Sequence, residues 1–101
     1  PGSATVTVIA RQEVEYLAPI PYLRQPLDIQ LWLGRLGGSS IEVCYEVSSP
    51  LGVVPFVMYT RAATTIVLLD SGTMRPRRLT DEERAVWTPY LEEPVAFTKR
   101  G

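Results

Sequence analysis

Three arginines in one short stretch, Arg75, Arg77 and Arg78 around Pro76, carry the most pointed chemistry in this sequence. Planar guanidinium groups offer paired N–H donors that match a phosphate, so the cluster is a candidate anion grip. A solvated loop is the plain reading of the same residues. Gly38-Ser39-Ser40 is the second candidate. Small residues let a ligand approach the backbone, and two hydroxyls can bond an amide or a phosphate, although a hairpin simply needing Gly and Ser accounts for them too. Tyr16, three residues before Pro19, ends a strand-like run and either lines an apolar channel or, as an aromatic at a strand end more often does, packs in a core.

The carboxylates are less pointed. Glu13 and Glu15, Glu42 and Glu46, and Asp70 beside Ser71-Gly72 each read as solvated or turn residues. None has the apolar surroundings and polar partners of a poised base, so no catalytic residue is assigned. Histidine is absent from the 101 residues, which excludes Ser-His and Cys-His nucleophilic chemistry within this stretch. Cys44 is the one cysteine, so no internal disulfide can form and no Cys/His metal site is expected. It alternates onto a polar strand face without an adjacent base and reads as an inert thiol. No cofactor is implied, and cysteine usage makes a reducing cytoplasm the natural setting.

The positioning elements follow from hydrophobic periodicity. From Thr5 to Ala18 the even positions Val6, Val8, Ala10, Val14 and Tyr16 are apolar and most odd ones polar, which predicts one long half-buried strand. Pro19, Pro21 and Pro26 then interrupt pairing. A second strand is expected over 27–36, with Leu27, Ile29, Leu31 and Leu33 on one face and Asp28, Gln30 and Trp32 on the other. Gly37-Gly38-Ser39 predicts a hairpin turn in which glycine supplies positive φ. The third strand, 40–48, alternates without a break. After a turn at Ser49-Pro50-Leu51-Gly52, residues 53–69 are apolar on both faces, as a central strand requires. Asp70-Ser71-Gly72 ends that strand, and Thr80 with Glu83 forms a capping-box signature for a helix from Asp81 until Pro89.

These elements make a single domain with a burial problem: a helix of two turns cannot cover the broad apolar face of strands nine to fourteen residues long. A preceding segment or another subunit must pack there. At 46% hydrophobic and 21% charged residues, composition fits a soluble globular domain, and the formal charge of -1 offers no general attraction for nucleic acid. No apolar run approaches the ~20 residues that span a bilayer. The opening PGSATVTV does not read as a signal peptide, and its Pro-Gly-Ser start fits a cloning scar and a native linker equally.

The stretches ARQEVEYLAPIPY, GRLGGSSIEVCYEV and TRAATTIVLLDSGTMRPRRLTDEER, taken in order over roughly residues 5 to 90, resemble the hotdog-fold acyl-CoA thioesterases of the 4-hydroxybenzoyl-CoA thioesterase kind. The resemblance implies an α+β hotdog fold, a curved antiparallel sheet with a short C-terminal helix, assembled as a homo-oligomer (dimer or tetramer). It implies hydrolysis of an acyl-CoA thioester, with Gly38, Ser39, Ser40, Arg75, Arg77 and Tyr16 as substrate contacts. In that family a long central helix precedes these strands, and the helix or the loop leading to it supplies the catalytic Asp or Glu, with backbone amides at a helix start holding the oxyanion. The central helix has no counterpart in the sequence before Thr5, so about 25 to 45 further residues carrying a helix of roughly four turns or more are expected upstream. The alternatives are a hotdog module that binds or senses acyl-CoA without cleaving it, and a β-rich assembly scaffold. A dehydratase is disfavoured by the absent histidine.

Overall fold

The computed structural model describes residues 4–97 apart from Leu23, Leu51 and Val53. Its elements are strands β1 (Thr5–Tyr16), β2 (Asp28–Leu36), β3 (Ser40–Ser48) and β4 (Met58–Asp70), then helix α1 (Asp81–Trp87) and a 3-10 turn, Thr88–Tyr90. The strands form one antiparallel sheet in the order β1-β4-β3-β2. β4, apolar on both faces, lies inside the sheet between β1 and β3, as its composition required.

Two expectations change, one of a boundary and one of a turn. β4 begins at Met58 rather than near residue 53, because Val57 still belongs to the loop, its carbonyl accepting from the Ser49 N–H at 2.8 Å and its own N–H donating to Ser49 Oγ at 3.0 Å. Pro55, which has no N–H to give a ladder, sits in that loop. Leu51 and Val53, and the Pro1-Gly2-Ser3 opening, lie outside the described residues. The glycines of the β2–β3 hairpin also serve differently: the described glycine with positive φ is Gly52, at +81°. At Gly37 the constraint is space, since a Cβ there would stand 2.5 Å from Ser40 Oγ.

Cross-strand partners share a face, so the registers assign each side chain. One face gathers Ile29, Leu31 and Leu33 of β2, Val43, Tyr45 and Val47 of β3, and Ala62, Ile66 and Leu68 of β4. On β1 the expected continuous even-numbered face is broken. Val6 and Val8 pair with Leu69 and Val67, but the register shifts at Ala10, so Val14 and Tyr16 pair with Ala62 and Thr60 on the opposite side of β4. A bulge of one residue exchanges the faces of everything beyond it. β2 has a similar shift at Gly34.

The reverse face, expected to be solvated, is instead partly roofed by the chain after the helix. Glu92 N–H donates to the Leu33 carbonyl at 2.9 Å, Trp32 Nε1 donates to the Glu93 carbonyl at 2.8 Å, and Arg61 donates to the Ala96 carbonyl at 3.1 Å. Under this tail Cys44, Ala63 and Val95 form a small buried cluster, with Trp32 and Phe97 packed against it. Cys44 is therefore fully buried, not on a wet face.

The apolar face stays largely open. α1 is seven residues long and buries none of them, and its Glu83 and Trp87 border a hollow over Thr7, Leu33, Ile41, Val43, Ile66 and Leu68 without filling it. Farther along, Ile29, Leu31 and Tyr16 are 58%, 69% and 81% exposed. The central helix is not seen among the described residues. No described helix is long and apolar enough to cross a membrane.

Candidate ligand site at the glycine turn

Beyond β4 the chain doubles back. Asp70 Oδ1 accepts the N–H groups of Gly72 and Thr73 at 2.8 and 3.1 Å, and the Met74 N–H donates to the Asp70 carbonyl at 2.6 Å. Asp70 is thus a turn-forming residue, as Asp favours through bonds to its own following backbone. The returning strand of loop bonds back to the sheet through Asp70 N–H to the Arg75 carbonyl and Arg77 N–H to the Leu68 carbonyl, at 2.8 and 2.9 Å. One step on, Leu79 N–H donates to the Gly38 carbonyl at 2.8 Å, while Leu68 N–H donates to that of Ser39 at 2.9 Å. The arginine loop and the Gly37–Ser40 turn, far apart in sequence, are bonded neighbours.

Within that junction the arginines take different parts. Arg77 is turned inward: Nε donates to Thr5 Oγ1 at 2.7 Å and its two terminal nitrogens grip Glu83 Oε1 and Oε2 at 2.9 and 2.8 Å. Glu83 also accepts the Thr80 N–H at 2.8 Å, completing the expected capping box. Arg77 first, and the Thr80 backbone second, hold the Glu83 pKa down to about 2. Arg75 is exposed, and its backbone closes the turn. Arg78 is exposed beside Gly38. Arg84 reaches from α1 to donate to the Gly37 carbonyl at 2.8 Å. The sequence singles out Arg75 and Arg77 as candidate contacts, and Arg84, whose helical position gave no signal of where it would reach, joins the same turn in the structure.

Tyr16 is not part of this cluster. It pairs with Thr60 whereas Ser40 pairs with Val67, so at about 3.3 Å per residue the two lie roughly 23 Å apart along β4. Tyr16 instead joins Leu17, Pro19 and Ile20 around an open hollow with Thr60. A separate apolar groove of about 410 Å³ runs between α1 and the sheet, lined by Leu31, Leu33, Val43, Val86, Trp87 and Tyr90. Alternation along β2 and β3 marked three of these residues; the helix contribution was not foreseen.

The carboxylates on the sheet have structural occupations. Glu46 pairs with Arg61 at 3.4 Å, Asp28 accepts from Gln30 at 2.9 Å, and Glu42 accepts from the Cys44 thiol at 3.8 Å. Burial, and then the nearby Glu42 charge, push the Cys44 pKa up, opposite to the shift a nucleophilic thiolate needs. Among the described residues no group of three or more metal-ligating side chains converges.

With this geometry in place, solved structures give a clear match. A predicted thioesterase from Bacillus stearothermophilus superposes with a TM-score of 0.74 at 24% identity, over 88% of this chain and 62% of its own. A Thermus thermophilus thioesterase complexed with coenzyme A and Zn gives 0.67 at 26% identity, over 83% and 58%. The 12:0-ACP thioesterase of Umbellularia californica gives 0.74 at 21% identity, over 93% and 35%. This chain has the hotdog fold of the thioesterase superfamily. This chain spans less than two thirds of the length of each of these three structures. No family model matches the sequence, and no curated protein is significantly similar to it.

Proposed function

We propose that this chain is the sheet-forming part of a hotdog thioesterase that hydrolyses acyl-CoA, acting in the cytoplasm as a homo-oligomer, dimer or tetramer, in fatty acid metabolism. The observation that carries the reading is the fit of nearly the whole chain onto thioesterases, one of them holding coenzyme A, together with an apolar sheet face that α1 leaves open. A long helix from further chain of the same protein would cover that face and bring the catalytic carboxylate. The carboxylate would activate water or attack the thioester carbonyl directly, while backbone N–H groups at the helix start hold the oxyanion. The coenzyme end belongs at the turn of Gly38, Ser39 and Ser40 beside the Arg75–Arg78 loop, with Arg77 shaping that loop from within. The acyl end belongs on the apolar face, toward Tyr16.

A second reading, a hotdog module that binds acyl-CoA without cleaving it, is favoured by the structural occupation of the sheet carboxylates Glu42, Glu46 and Asp28. Incubating the full-length protein with acyl-CoAs of graded chain length and following free thiol separates the two. Saturable thiol release supports the thioesterase. Saturable binding with the thioester left intact supports the module.

A further inference from the structure

Resting on the reading of the glycine turn as the coenzyme end, we infer that Arg78, flanked by Arg84, is the phosphate-recognising group of that site, and that Arg77 only positions it. The geometry of Arg78 is the starting point. A Cβ built on Gly38 would lie 3.9 Å from one terminal nitrogen of Arg78 and 4.0 Å from both the central carbon and the other nitrogen. A point can be that evenly distant from three atoms of a small planar group only if it lies above the plane. The guanidinium plane therefore faces the side of Gly38 where a side chain would stand, and among the described residues its N–H groups take part in none of the ion pairs.

A guanidinium that turns its face to a glycine can offer its N–H fork to phosphate oxygens, which it matches in geometry. Among the described residues the ion pairs engage Arg11, Arg61 and Arg77, not Arg78 or Arg84. Arg84 uses one terminal nitrogen on the Gly37 carbonyl and so pins a second guanidinium to the same turn. Two cations without ion-pair partners at one exposed glycine turn make a local positive site in a chain whose formal charge is -1. Gly38 and Arg78 are both exposed, so a ligand can reach the edge of the guanidinium from solvent.

Arg77 cannot share this work as it stands, because Thr5, Glu83 and the Arg78 carbonyl at 3.1 Å occupy its nitrogens. Its bond to the Arg78 carbonyl fixes the backbone from which Arg78 extends. The ligand chemistry is a phosphate of a pantetheine-bearing nucleotide. In coenzyme A this could be the pyrophosphate next to pantetheine or the 3′-phosphate of the ribose, and a set of truncated ligands tells them apart.

The test measures equilibrium binding of the full-length protein to CoA, 3′-dephospho-CoA, 4′-phosphopantetheine and pantetheine, for the wild type, Arg78→Ala and Arg24→Ala. Arg24 is an exposed arginine outside the turn and removes the same charge. The expected result is a roughly five- to tenfold loss of CoA affinity in Arg78→Ala, with a shallower salt dependence, and little change in Arg24→Ala. If the loss persists with 4′-phosphopantetheine the contact is to the pantetheine phosphate; if it vanishes with 3′-dephospho-CoA the contact is to the 3′-phosphate. Wild-type binding of pantetheine as tight as that of CoA, an unchanged Arg78→Ala, or no CoA binding would overturn the inference. Phosphate-dependent binding without thiol release would sink the thioesterase reading and leave this site standing. Thiol release that is indifferent to phosphate and to Arg78 would do the reverse.

Discussion

Arg77 and Glu83 form a two-point clasp, both carboxylate oxygens lying within 2.9 Å of guanidinium nitrogens, between the loop that leaves β4 and the first turn of α1. Because Arg77 also bonds Thr5 on β1, one side chain ties the sheet edge, the loop and the helix start together. Glu83 has a folded pKa of about 2, below its ordinary 4.5, so the clasp contributes stability above about pH 4.5 and loses it as pH falls toward 2. Glu83→Gln should lower the melting temperature at pH 7, with the gap to wild type closing progressively between pH 4.5 and pH 2. A gap that is constant with pH would mean the ionic part of the clasp is idle.

The helix cap gives a second check on the same corner. Thr80 Oγ1 accepts the Glu83 N–H at 3.1 Å as the N-cap of α1. Thr80→Ala should cost about 1 kcal/mol in chemical denaturation, and Thr80→Ser should recover most of it. Equal stability of all three would show that the helix does not depend on its cap.

Beneath the C-terminal tail, Cys44 is closed off by Val95 and raised in pKa chiefly by burial. Its reaction with a thiol reagent at pH 8 should be slow, and removal of residues 92–101 should speed it at least tenfold by exposing the sulfur and easing formation of the thiolate. Fast labelling of the intact chain would contradict the roofed face.

Gly34 tests how closely that roof fits. A Cβ there would stand 2.6 Å from Glu42 Oε1, 2.7 Å from Cys44 Sγ and 3.3 Å from Pro94 Cα. Glu42 can swing away, but Cys44 Sγ is buried beneath Val95 and Pro94 Cα is backbone, so Gly34→Ala should destabilise by about 1 to 3 kcal/mol and loosen the tail. Faster Cys44 labelling in this variant would accompany the loss; a neutral variant with unchanged labelling would refute the packing.

How much of this was legible depended on whether a pattern was local. β3 alternates without interruption and was read to the residue, and the two-sided apolar character of β4 placed it inside the sheet. The bulge at Ala10 was invisible, because one extra residue changes no composition yet exchanges the faces of Val8 and Val14. The tail was missed because LEEPVAF has no periodicity, and Val95 finds Cys44 and Ala63 only once the chain has folded. The arginine loop and glycine turn were each noticed, and their adjacency followed from backbone bonds to Leu68 and Gly38. Which arginine faces inward was not readable, since Arg77 and Arg78 are neighbours of one type and only tertiary partners distinguish them.

β1 is an edge strand of twelve residues, and the apolar face beside it is open, so self-association is expected. Sedimentation of the full-length protein at micromolar concentration should give a dimer or tetramer. A well-folded monomer would contradict the homo-oligomer.

The most direct test of the thioesterase account compares residues 1–101 with the full-length protein in acyl-CoA hydrolysis and thermal melting, side by side. The account predicts saturable thiol release and a cooperative, higher melt for the full-length protein, against little release and low stability for residues 1–101, whose apolar face is open. Equal hydrolysis by both, with residues 1–101 melting cooperatively as a monomer, would contradict it and return the catalytic role to a carboxylate within the sheet.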